Sequence, residues 1–277
     1  MRLLHFILSH SIFISFCAVA LSLQTLLLLS FPINGYLLGL IFFATLAGYN
    51  AYWMVSRISF NRTGNWLNSL AKKKSSLGVF VVAVAGILAC FLQLHLVWYN
   101  LLITVIFLAL YAVPLLPIKQ LHFTRKAGFL KTTLLALSWT MVTILVPLQV
   151  PVTGMSVAEI IVFFNRFLFM LTLCIIFDKR DAAVDKIRGL QSLATDVRPV
   201  LLSVIITLIL LCYAATCIWL LYFHDTTLAH VIALLLAGLV TSWVYLRSSR
   251  ETSYLFYYFV VDGLMFLSGL LSLLASI

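Results

Sequence analysis

The chain has 277 residues, of which 64% are hydrophobic and only 9% charged, against roughly 25% charged residues in an ordinary soluble domain. So few charges cannot cover the surface of a soluble protein this size, and so much apolar side chain excludes disorder. A disulfide scaffold and a DNA-binding domain with a broad basic face are excluded too, which leaves an all-α polytopic membrane protein forming a single domain over 1–277.

A bilayer core takes about 20 apolar residues per helix. Polar interruptions divide the sequence into nine predicted spans, near 8–30, 36–56, 77–95, 98–117, 132–148, 157–177, 200–222, 228–246 and 254–275. The first is read as a retained helix, with a cleaved signal peptide as the rival. The third and fourth come from one long apolar stretch. Gln93, His95, Trp98, Tyr99 and Asn100 interrupt it, and the aromatic residues there suit an interfacial turn.

The basic residues give an orientation. With the N-terminus on the cytoplasmic side, 17 of the 18 Lys and Arg fall on cytoplasmic segments and only Arg166 is left over. That is the positive-inside pattern. The formal charge of +10 therefore reflects topology rather than nucleic-acid binding, and the C-terminus is expected outside. The sequon Asn61-Arg62-Thr63 falls inside and is set aside. The five cysteines sit in apolar spans with no metal-ligand spacing, and read as small buried hydrophobes. No histidine pairs at a catalytic spacing.

Of only 8 acidic residues, Asp178, Asp181 and Asp185 fall within one short stretch directly after the apolar run 167–177. At about 100° per residue their bearings are roughly 0°, 300° and 340°, one helical face. Carboxylates this close repel unless a cation sits among them. Hard oxygen ligands at a membrane boundary suit Mg²⁺, which binds one or two carboxylates plus substrate phosphates. The plainer alternative is a solvated loop in which Lys179, Arg180, Lys186 and Arg188 neutralise the acids.

The stretch Phe177-Asp178-Lys179-Arg180-Asp181-Ala182-Ala183-Val184-Asp185, continuing to Gly189, Ser192 and Leu193, resembles the second aspartate-rich motif of the UbiA family of intramembrane prenyltransferases. That pattern runs F-D-x-R-D-x-x-x-D-x-x-x-G-x-x-T/S-L. Tyr111 to Lys119, followed by Gly128, Lys131 and Trp139, is similar to the family's Y-x-x-P…K segment and the helix after it. The likeness covers most of the chain. It departs at the first motif, N-D-x-x-D-x-x-x-D, where Asn50 is kept but Ala51, Met54 and Ile58 stand in place of acids.

The resemblance implies about nine helices around a central cavity that opens to the cytoplasm. An isoprenyl diphosphate would be held there by Mg²⁺ on Asp178 and Asp181, with Asp185 in support. Asn50 would add an oxygen. Arg57, Lys119, Arg125 and Arg180 would supply positive charge to the phosphates, with Tyr111 beside them. Transfer would be to a lipophilic acceptor, apolar or aromatic. Tyr49, Tyr52, Trp53 and Trp139 are the aromatic residues nearest this site. Two other readings stay open: a relative that has lost catalysis and binds an isoprenoid or lipid, or serves as an assembly partner, and a transporter.

Two charges are expected within the spans, Arg166 and Asp262. Such charges are costly and usually face a cavity or each other. They would line a central pocket, pair together, or, for Arg166, reach the outer surface near Glu159.

Overall fold

The computed structural model describes residues 2–60, 74–94, 96–112, 128–148, 150–188, 192–223 and 226–277. All regular structure among them is helical. In hydrocarbon a helix satisfies every backbone group within its own segment, so long apolar runs have few other options. The helices are α1 (Arg2–Ser9), α2 (Ile12–Leu28), α3 (Gly35–Phe60), α4 (Lys74–Phe91), α5 (Trp98–Ala112), α6 (Gly128–Thr140), α7 (Val157–Arg188), α8 (Leu193–Asp196), α9 (Pro199–Trp219), α10 (Leu228–Ser248) and α11 (Asp262–Ala275). π turns extend α6 over Met141–Leu145 and precede α11 over Phe256–Val261.

Each of the nine predicted stretches contains a helix. Among the described residues, five helices are long and apolar enough to cross a membrane, or six if a bent first pair counts as one. The chain is an integral membrane protein. The first stretch differs from its prediction. It is broken into α1 and α2, bent by 68°, with Ser11 in the left-handed region at φ 62°. The Asn50 side chain fastens the break by donating to the His10 carbonyl (3.0 Å) and to Leu46 O (2.8 Å).

The bundle closes because its ends meet. α2 packs on both α3 and α11, α7 packs on α6 and α9, and α10 packs on α11. Gly269 sets the α2–α11 distance, since a Cβ there would lie 2.4 Å from the Ala20 carbonyl oxygen. Across this seam Gln24 Nε2 donates to Ser268 O (2.9 Å), Ser268 Oγ (2.9 Å) and Ser272 Oγ (2.7 Å). Its Oε1 accepts from Arg166 Nη2 at 2.7 Å. Arg166, only 3% exposed, is thus joined to Gln24 rather than to Asp262. Glu159 accepts from Ser156 N (2.6 Å) at the start of α7 instead of meeting Arg166.

The predicted interfacial turn separates α4 from α5. Just after it, Asn100 ties α5 to the far end of α6 by donating to the carbonyls of Leu145 (3.0 Å), Leu148 (3.1 Å) and Val150 (2.9 Å). The five cysteines are free thiols, with Cys17, Cys174 and Cys217 buried.

Candidate functional site

The predicted end of the sixth span, near 177, is not the end of its helix. α7 runs on through Arg188, so Asp178, Asp181 and Asp185 all lie on one continuous helix. Its middle, from Phe169 to Ile176, is mostly apolar and buried. Its last turns carry the polar motif, because charges are admitted where the helix leaves hydrocarbon.

Gly128 brings α6 to this end. A Cβ on it would sit 2.5 Å from Ser192 N and 2.6 Å from Asp196 Oδ2, so only glycine lets the start of α6 press against the segment leading into α8. One turn later, the buried Thr132 hydroxyl donates to Asp178 Oδ2. Asp178 therefore faces α6, and its charge also reaches Tyr111 on α5 and Cys174 one turn back along α7.

Asp181 faces another way. Arg180 grips it in a fork, Nε to Oδ1 at 2.6 Å and Nη2 to Oδ2 at 2.9 Å, while the Asp181 side chain stays 45% exposed. The guanidinium is also seated among three rings, with centroid distances of 5.0 Å to Phe177, 4.9 Å to Tyr257 and 5.1 Å to Tyr258. Such cation–π contacts strengthen as water is excluded. Tyr257 is anchored in turn, donating to Glu251 O at 3.1 Å and Ser248 O at 3.3 Å. Next to this, Lys179 donates to Ser249 Oγ and lies 4.7 Å from the Tyr245 ring centre.

Two of the predicted carboxylates thus leave α7 in different directions, one towards α5 and α6, the other towards the turns before α11. The Tyr49 and Trp139 rings lie 6.1 Å apart. Tyr52 and Trp53 meet edge to face at 5.6 Å. Asn50 is buried, and its amide nitrogen is spent on the α1–α2 break. The side chains of Arg57 and Asp185, and the whole of Lys119 and Arg125, lie outside the described residues. An apolar niche lined by Leu96, Val97, Asn100, Leu101 and Val146 belongs to the opposite end of α6.

Among the described residues, no three Asp, Glu, His or Cys side chains gather as a metal centre. Mg²⁺ also binds through one or two carboxylates completed by phosphate oxygens, a mode that needs no such cluster. Thr132, Tyr257 and Tyr258 were not found by sequence reasoning. Thr132 lies one turn after Gly128, but nothing in a Thr within an apolar helix says which neighbour it meets.

These features define a class: an all-helical integral membrane protein whose polar chemistry collects at one end of an apolar bundle. No family model and no curated protein sequence matches the chain. Among solved structures, its fold is similar to that of a digeranylgeranylglyceryl phosphate synthase in membranes, a UbiA-type prenyltransferase. The TM-score is 0.55 with 14% sequence identity, over 94% of this chain and 92% of the other. At that identity the likeness is one of fold.

Proposed function

We propose that the chain is a UbiA-like prenyltransferase that moves an isoprenyl group from a prenyl diphosphate to an apolar or aromatic acceptor. One observation carries the reading: the fold likeness runs the length of the chain, and the acidic motif falls at the polar end of the bundle, on the continuous helix α7. Diphosphate departs with a large negative charge, which cations must stabilise as the allylic C–O bond breaks. Asp178 would hold Mg²⁺ with phosphate oxygens, and Asp181 and Asp185 would support it once Arg180 releases Asp181; the bound ion would neutralise phosphate charge. Arg180 would trade Asp181 for a phosphate oxygen, since guanidinium forks fit both groups. Arg57, Lys119 and Arg125 would add positive charge, with Asn50 and Tyr111 at the edge of the site. The isoprenoid tail would run inward along Tyr49 and Trp139.

The test is purified protein incubated with prenyl diphosphates of C10 to C20 and Mg²⁺, read as pyrophosphate released. Release that requires Mg²⁺ and falls about 100-fold or more in Asp178→Asn is expected. Silence across the panel from well-folded protein would refute the reading. One observation favours a second reading, an isoprenoid binder without turnover: both Asp181 oxygens are already taken by Arg180. A binder would carry isoprenoid through purification and release no pyrophosphate.

A further inference from the structure

Asp262 opens α11 directly after the π turn and is only 8% exposed. A buried carboxylate is normally hydrogen-bonded or paired. The other deep polar side chains of this bundle mostly follow that rule: Gln24, Thr25, Asn165 and Tyr213 all have partners. Among the described residues, Asp262 has neither a hydrogen bond nor an ion pair. The Arg166 that could have neutralised it is joined to Gln24.

The groups around Asp262 place it in the bundle interior. Its charge reaches Cys17 on α2, Tyr49 on α3, Cys174 on α7 and Tyr254 ahead of the π turn, and among the described residues the one cation acting on it is Arg180. Cys174 is within reach of both Asp178 and Asp262, and it precedes Asp178 by one turn, about 6 Å along α7. Asp262 therefore lies deeper than the lip where Asp178 sits. A diphosphate held at that lip would have its first isoprenyl carbon at about this level.

We infer that Asp262 receives the acceptor substrate through a hydrogen bond from a neutral hydroxyl group, and takes that group's proton during transfer. The inference rests on the prenyl-transfer reading for its chemistry and deepens it by naming the acceptor class. In the step, the allylic C–O bond breaks and its electron pair leaves with diphosphate. The acceptor oxygen bonds to the freed carbon, and its proton passes to the Asp262 carboxylate. An acceptor with an anionic head at this depth is disfavoured. It would face a carboxylate in low dielectric, and the one nearby cation is already gripped by Asp181.

The test uses the full chain in lipid nanodiscs and two probes of equal length, 4-octylphenol and 4-octylbenzoate. At about pH 7.5 the first is neutral and the second charged. The phenol should bind about tenfold more tightly than the benzoate, because like-charge contact is costly at a buried site. Asp262→Asn should bring the two within about twofold, chiefly by tightening the benzoate. Equal binding to the unaltered protein overturns the inference with no variant needed, as does a preference unchanged in a well-folded Asp262→Asn or, if that fails to fold, Asp262→Ser. Pyrophosphate release from geranylgeranyl diphosphate with Mg²⁺ is measured in parallel. Release without a phenol preference sinks the Asp262 site and keeps the prenyl-transfer reading. A phenol preference without release keeps the hydroxyl-binding site but sinks both the transfer reading and the proton step.

Discussion

Substituting Gly269 by Ala tests whether the α2–α11 seam holds the bundle closed. The added Cβ would lie 2.4 Å from Ala20 O, 2.6 Å from Ala20 C and 2.8 Å from Ala20 Cβ. These atoms are backbone or nearly so and cannot rotate away, so the helices must part by about 0.6–1 Å to restore ordinary contact. Overpacking of this kind costs about 1–3 kcal/mol. The same movement stretches the Gln24 bonds to Ser268 and Ser272, now 2.9 and 2.7 Å, towards the limit at which a hydrogen bond is lost. Each is worth about 1 kcal/mol. Alanine gains about 1 kcal/mol over glycine in helix propensity. The net expectation is a loss of about 2–4 kcal/mol. Gly263 on the same helix is the control, because its Cβ would meet Phe13 Cζ at 3.6 Å, an ordinary contact. Gly263→Ala should change stability by less than about 1 kcal/mol. Both variants can be followed by thermal unfolding in one detergent, read by labelling of the buried Cys17, which lies on α2 itself. Equal midpoints for the two variants would refute the reasoning.

Further expectations follow from single contacts. Asp181→Asn should loosen the Arg180 fork while leaving Asp178 bound to Thr132, so pyrophosphate release should fall less than in Asp178→Asn; the reverse order would shift the main role to Asp181. Asn50→Ala removes the donor to His10 O and Leu46 O and should cost about 1–3 kcal/mol, with faster proteolysis near residues 9–12. Tyr213→Phe loses the 2.9 Å bond to Leu234 O and should cost about 1 kcal/mol, measured by thermal unfolding. An unchanged midpoint would mean that this carbonyl finds another donor.

Hydropathy was enough to identify a helical membrane protein, and the spacing of the acids was enough to set Asp178 and Asp181 close together on one helix. Both are sums or spacings along one segment, and a helix built from its own hydrogen bonds preserves them. The break between α1 and α2 was hidden, because His10 and Ser11 are too few polar residues to interrupt an apolar average. The helical bearings put Asp178 and Asp181 about 60° apart on α7, but not which neighbour each would meet.

Composition and hydropathy determined the membrane environment of this protein and its helical class. Tertiary structure alone decided that Asp178 meets Thr132, that Asp181 is gripped by Arg180 against three rings, that Arg166 joins Gln24 142 positions away, and that Asp262 is left facing the interior without a partner among the described residues. The reason is physical. Hydrophobicity is a property of each segment, while partnership depends on how helices rotate and how closely they approach, and contacts such as Gly269 on Ala20 and Gly128 on Ser192 set that approach between segments far apart in sequence.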